Sequence, residues 1–224
     1  MTDMARFMFD LTLSFDNGPD AQATPFVLDV LKQRGLRTTF FVVGEKLVAP
    51  GARALAERAL AEGHVIGNHT WTHSGPLGRR SEPDLAEHEI GRTQEAMGAL
   101  AHAHRFFRPQ GGGGALGPHL LAPAVVDFLK AGRFSLVLWN AIPGDWEDPE
   151  GWVERALGQC RAQPWTLMVL HDIESGAMRH LERFLDAVAM SGGRIRQDFP
   201  PDCVPMLDGV VVRPIESYVT ASGV

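Results

Sequence analysis

Five short segments of this 224-residue chain carry side chains that could act on a substrate. Residues 69–73 read His-Thr-Trp-Thr-His and set two imidazoles four positions apart. On a helical turn that spacing projects both rings from one face, where His69 and His73 can share a metal ion. Residues 16–19 read Asp-Asn-Gly-Pro after an apolar run, so a tight turn holds Asp16 at the rim of whatever lies there. The alternative is an Asx turn, whose carboxylate serves only its own backbone. Leu170-His171-Asp172 ends another apolar run. An imidazole there, with an ordinary pKa near neutrality, suits proton transfer or simply sits satisfied at a rim. Arg108-Pro109-Gln110 precedes four glycines, 111–114. A backbone without side chains can bring N–H groups close to a developing oxyanion, or form a flexible loop. Trp139, Asp145 and Trp146 follow a third apolar run, where tryptophans stack on sugar rings or pack.

These segments need a scaffold, and the chain alternates short β-rich runs with helical ones. Strands are expected over 7–15, 38–43, 65–66, 105–108, 134–139, 166–170 and 210–212. Helices are expected over 22–34, 52–62, 83–103, 120–130, 151–160 and 178–190, with 83–103 the longest. About seven β-then-α units favour a parallel α/β fold. In a parallel barrel the chemistry gathers at the C-terminal ends of the strands. Asp16, His69, Arg108, Asp145 and His171 each follow a strand, so they would face one pocket. A doubly wound open sheet is the competitor, but no GxGxxG element follows the first strand. The other histidines, at 64, 88, 102, 104, 119 and 180, are expected to be solvated or structural. The segment after Ile173 could be a lid, a dimer contact or a cap, and Pro200-Pro201 within it argues for extended backbone.

Composition narrows the function. A chain that is 45% hydrophobic can bury one sizeable core, and its length suits a single domain over 1–224. A net charge of -6 without a Lys/Arg run gives no electrostatic case for nucleic acid or an anionic membrane. No apolar stretch reaches the length of a membrane span. The first ten residues lack the basic start and apolar run of a secretion signal, so a cytoplasmic location is expected. Cys160 and Cys203 stand far apart and outside any CxxC, and read as reduced structural thiols.

Taken in order, the five segments resemble the motifs of the NodB-type polysaccharide deacetylases, carbohydrate esterase family 4. Ser14-Phe15-Asp16-Asn17-Gly18-Pro19 is similar to Thr-Phe-Asp-Asp-Gly-Pro, and residues 69–73 to His-Thr/Ser-x-x-His, preceded by the family-like Gly63-His64-Val65-Ile66-Gly67-Asn68. Arg108-Pro109-Gln110-Gly111-Gly112 is similar to Arg-x-Pro-Tyr-Gly, Asp145-Trp146 to a closing Asp-Trp, and Leu170-His171-Asp172 to Leu-His-Asp. The resemblance covers roughly residues 7–173 and implies a distorted parallel (β/α) barrel of seven or eight strands. It implies hydrolysis of carbon–nitrogen, non-peptide amide bonds, most simply deacetylation of an N-acetylated sugar or oligosaccharide. Asp16 would be the base that activates water, and His171 the acid that protonates the leaving amine. Arg108 would pair with Asp16, and Asp145 would tune His171. Asn17, His69 and His73 would hold zinc or another divalent metal. Trp146, Leu170, Gly111 and Trp139 would wall the substrate pocket.

Four positions depart from the family. Asn17 stands where an aspartate ligand is usual, and a neutral amide oxygen adds no charge to a cation site. Gly111 replaces tyrosine and Gln110 replaces proline, which either loosens the oxyanion donor or makes room for a bulkier substrate. Asn140 follows Trp139, where Asp or Ser is common. The departures keep two alternatives open: a metal-independent hydrolase of small cyclic amides or ureides, and a non-catalytic carbohydrate-binding relative.

Overall fold

The computed structural model describes residues 8–221. Phe7, the expected start of the first strand, lies outside them, as do most of the residues read for a secretion signal. Six parallel strands form a curled sheet: β1 (Phe9–Asp16), β2 (Thr39–Val42), β3 (Val65–Asn68), β4 (Phe106–Phe107), β5 (Ser135–Leu136) and β6 (Trp165–His171). Their order is β6-β1-β2-β3-β4-β5. The ring closes where Ala141, just past β5, bridges Met168 of β6. This is the distorted (β/α) barrel that the motifs imply.

The distortion has a simple origin. One edge of β1 is shared: Ser14 to Asp16 pair with β2, while Phe9 to Thr12 pair with β7 (Gly193–Arg196). Two short antiparallel strands, β8 (Met206–Leu207) and β9 (Val210–Val211), extend the sheet from β5. Neither β7 nor β8 was expected from the sequence.

Helices α1 (Ala23–Gln33), α2 (Gly44–Leu47), α3 (Ala52–Ala61), α4 (Arg92–Met97), α5 (Pro123–Ala131), α6 (Trp152–Arg161) and α7 (Leu181–Met190) surround the strands. The main core lies between strands and helices, where Leu11, Leu13, Phe15, Met168 and Leu170 pack with Val27, Leu31, Trp152 and Phe184. A strand's side chains alternate between faces, so these outward residues leave Thr12, Ser14 and Asp16 of β1 for the barrel interior. Within the segment after Ile173, residues 198–203 form a cap, while α7, β7, β8 and β9 belong to the barrel and its sheet. The Thr12 hydroxyl donates to Asp198 O at 2.6 Å, Leu138 N–H donates to Cys203 O at 2.8 Å, and Phe199 meets Phe41 and Phe106. It closes the barrel at the end opposite the C-terminal tips of the strands.

The long helix expected over 83–103 is interrupted. It runs as a π-helical turn (Glu87–Gly91), then α4, then a 3-10 turn (Gly98–Leu100), and residues 101–103 leave it. Cys160 and Cys203 are free and buried. His64 is structural as expected: it is buried and accepts the Thr38 N–H at 3.1 Å. The other histidines read as solvated or structural also have partners: His88 meets Arg92, His102 accepts the His104 N–H, His104 meets Asp208, His180 meets Glu150, and His119 meets Gly111. Among the described residues no helix is long and apolar enough to cross a membrane.

Candidate active site

Register brings the chemistry together. β1 and β6 are parallel neighbours, and Asp16 pairs directly with His171 at their C-terminal tips. Asn68 ends β3, so His69 follows at the same level, and Arg108 follows β4. Asp16, Asn17, His69, His73, Gly111, Trp139, Trp146 and His171 line one pocket of about 200 Å³. That volume suits an acetamido group with part of its ring, and is less than a whole ligand pocket usually offers.

Asp16 is 3% exposed and Arg108 is fully buried. Arg108 Nη1 donates to Asp16 Oδ1 at 2.8 Å and to Ser14 Oγ at 2.7 Å. Its Nε and Nη2 reach the Val137 and Leu138 carbonyls, and its guanidinium lies 4.0 Å from the Phe41 ring centroid. Burial opposes ionisation of Asp16, but the charge of Arg108, with His69 and His171, outweighs it and holds the carboxyl below its ordinary range.

On the facing side Asp145, fully buried, grips His171 twice. Its Oδ1 accepts from Nδ1 at 2.8 Å and its Oδ2 from the backbone N–H at 2.9 Å. A carboxylate only accepts, so Nδ1 carries a proton and Nε2 is left for the pocket. Burial lowers the pKa of His171, yet Asp145, Asp16 and Asp172 together raise it above the ordinary value. The Trp146 ring stands edge-on to His171 at 4.7 Å. A carboxylate whose ionised form is favoured and an imidazole whose protonated form is favoured thus stand side by side at the rim of one pocket.

His69 and His73 do not sit on a helical turn. Residues 69–73 form an irregular loop in which Thr70 and His73 take positive φ angles of 68° and 54°. The two rings nonetheless meet, with centroids 4.9 Å apart. His69 Nδ1 donates to the Arg108 carbonyl at 2.8 Å, which leaves Nε2 a free lone pair 3.6 Å from Asp16 Oδ2. Burial keeps both rings neutral, and His73 is pulled down to about 3. Neutral imidazoles are the ligand form. Among the described residues no group of three or more His, Cys, Asp or Glu is arranged to hold a metal. The third donor of a His-His site would have to be an amide, and Asn17 Oδ1 is buried without a hydrogen-bond partner. The donor set fits a divalent ion with two nitrogens and one uncharged oxygen.

The glycine run is held at both ends, at Gly111 and Gly114, while Gly113 between them has open space. A Cβ on Gly111 would stand 2.8 Å from the Trp139 ring, so Trp139 fills the space a side chain at 111 would take. Trp139 Nε1 donates to Gly114 O at 2.9 Å, and His119 Nε2 donates to Gly111 O at 3.2 Å. Leu170, expected in the pocket wall, is instead buried in the core beneath the helices. Alternation along β6 explains this, since Val169 and His171 share the pocket face and Leu170 points the other way. The same alternation would have found Val169, which lines the pocket with Ile142 and Ile173.

Comparison with known proteins agrees with this geometry. The family model described as polysaccharide deacetylase matches residues 9–115. A peptidoglycan-N-acetylglucosamine deacetylase of Bacillus cereus is 31% identical over 182 residues, 80% of this chain and 60% of that protein's length. A chitooligosaccharide deacetylase of a Bradyrhizobium species is 34% identical over 169 residues, 71% of this chain and 69% of that protein. The crystal structure of a peptidoglycan N-acetylglucosamine deacetylase superposes with a TM-score of 0.69 at 26% identity, covering 90% of this chain and 95% of that one. The barrel, the tips of its strands and these matches agree: the chain belongs to the polysaccharide deacetylase family.

Proposed function

We propose that this chain is a hydrolase that removes the acetyl group from an N-acetylated amino sugar, of the kind its relatives' names describe, within one catalytic domain. The observation that carries the reading is the register match of Asp16 with His171, with the carboxyl shifted down and the imidazole shifted up as their roles need. The Asp16 carboxylate takes a proton from water, whose oxygen attacks the acetamide carbonyl carbon. The carbon–nitrogen bond then breaks, and His171 Nε2–H gives its proton to the departing amine, so acetate and a free amine leave. Arg108 keeps Asp16 charged, Asp145 keeps the His171 tautomer, and the Gly111 backbone N–H would donate to the oxyanion. The tight pocket, with Trp146 and Val169 in its wall, admits the acetyl end and excludes bulk water. When bound by His69, His73 and Asn17, a divalent ion such as zinc would polarise the acyl carbonyl and acidify water.

Acetate release from N-acetylglucosamine oligomers, with zinc titrated in, tests this. His171→Gln should lower kcat by about 100-fold or more while leaving the melting temperature near the parent's. A well-folded parent that releases no acetate from any such oligomer, with or without zinc, overturns the assignment. Asn17 favours one second reading, a metal-independent hydrolase of small cyclic amides. Turnover that survives chelation would support it, and turnover lost to chelation and restored by zinc would exclude it.

A further inference from the structure

The loop that carries His69 and His73 is strained at two residues, yet it packs against solid structure on both sides. From one side α2 supplies donors: Gly44 N–H reaches Thr70 O at 2.9 Å and Glu45 N–H reaches Trp71 O at 3.1 Å. The Trp71 ring lies against the bare backbone of Gly44, where any Cβ would collide with it. From the other side comes one fully buried carboxylate, Glu89. Its Oε2 accepts the N–H groups of Trp71 and Thr72, both at 2.9 Å. Its Oε1 accepts the Thr72 hydroxyl at 2.7 Å and Arg80 Nη1 at 2.6 Å. Four donors saturate the carboxylate. Glu89 lies in the π-helical turn Glu87–Gly91, and such insertions recur at functional sites. Two more contacts flank the clamp, one to the end of β3 and one from the start of α4. Asn68 Nδ2 donates to Ile90 O at 2.9 Å, and the Arg92 guanidinium sits 3.8 Å from the Trp71 ring centroid.

We propose that Glu89 is the positioning residue of the His69–His73 pair: its carboxylate holds the amides between the two histidines and so sets where both rings point. Only a carboxylate serves here, because every partner is a donor. Glutamine would turn its NH₂ group onto either the Trp71 and Thr72 amides or Arg80, donor against donor. The placement of the rings as metal ligands rests on the function proposed above; the clamp itself is read from the hydrogen bonds.

The experiment compares Glu89→Gln and Thr72→Val with the parent by amide hydrogen exchange, by imidazole nitrogen resonances, and by calorimetric titration with zinc. Glu89→Gln should speed exchange at Trp71 and Thr72 at least tenfold relative to β1 and β6, and shift the His69 and His73 resonances. Its zinc affinity should fall at least tenfold, and kcat should fall more than KM rises. Thr72→Val, which removes a single hydroxyl, should move the same readouts less. Unchanged exchange at 71 and 72 with unchanged imidazole resonances overturns the proposal. So does a loss of protection spread evenly over β1 and β6, which is general destabilisation. If Glu89→Gln does not fold, Thr72→Val is judged by the same criteria. A parent that binds no zinc counts against the metal reading, and the exchange and resonance data still decide the clamp.

Discussion

Asp172 sits one residue past His171, but its carboxyl does not line the pocket. It is 1% exposed, takes the Thr24 hydroxyl at 2.5 Å on Oδ2, and leaves Oδ1 buried without a partner. Burial pushes its pKa up to about 7, against the partial relief of the Thr24 hydrogen bond. In the unfolded chain the group returns to about 3.8. Between those values the folded state binds more protons than the unfolded one. The contribution of Asp172 is therefore complete below about pH 4, shrinks as pH rises towards 7, and is gone above that. A difference of about three pKa units corresponds to roughly 4 kcal/mol as an upper bound. Asp172→Asn keeps the shape and cannot ionise. It should gain roughly 1–4 kcal/mol over the parent at pH 8 and little at pH 4, measured by urea unfolding across that range. Parallel stability curves for the two proteins would show that the folded carboxyl ionises at no cost.

The loop over residues 111–114 shows what an element adds to its residues. Gly112, Gly113 and Gly114 take φ of 59°, 100° and 92°, which side chains resist. Left alone, such a segment samples many conformations, yet the Trp139 ring fills the space beside Gly111 and its indole N–H ties down Gly114. Trp139→Phe removes that donor and leaves most of the apolar surface. Its kcat should fall about tenfold with KM little changed, because the loss falls on preorganisation of the oxyanion donor. Steady-state kinetics on an acetylated oligomer checks this, and a rise in KM alone would instead make Trp139 a substrate contact. The glycine run was legible as a loop able to donate, but not as a pinned one, because the pinning residue comes from the segment after β5. The π-helical turn was hidden for a related reason. One extra residue per turn only blurs a helical period, and Leu85, Ile90, Met97 and Leu100 fitted that period loosely. The strand ends at the pocket were legible where Asp16, Arg108 and His171 each close an apolar run. β7 was not, because Gly-Arg-Ile-Arg carries almost no apolar alternation.

At the scale of the whole molecule the barrel is weakest where it closes. The seam between the segment after β5 and β6 has one bridge, Ala141 with Met168, and few backbone bonds, among them Val169 N–H to Ala141 O at 3.0 Å. Asn140, which looked like a thinned motif position, supplies the rest of the seam. Its Oδ1 accepts the Leu167 N–H at 2.7 Å and its Nδ2 donates to the Trp165 carbonyl at 3.0 Å, so a side chain stands in for a missing strand rung. β6 carries His171, and the segment past Asn140 carries Asp145, so the seam holds the two against each other. Asn140→Ala should cost about 1–2 kcal/mol of stability, the value of two such hydrogen bonds net of solvation. Activity should fall further than that, since the His171–Asp145 pair depends on the two edges staying in register. Hydrogen exchange would place the change, with protection lost at Leu167 and Val169 while β1 and β2 keep theirs. If exchange at those two amides stays at the parent's rate while stability falls, the side-chain rung is dispensable and the barrel is held closed by its helices.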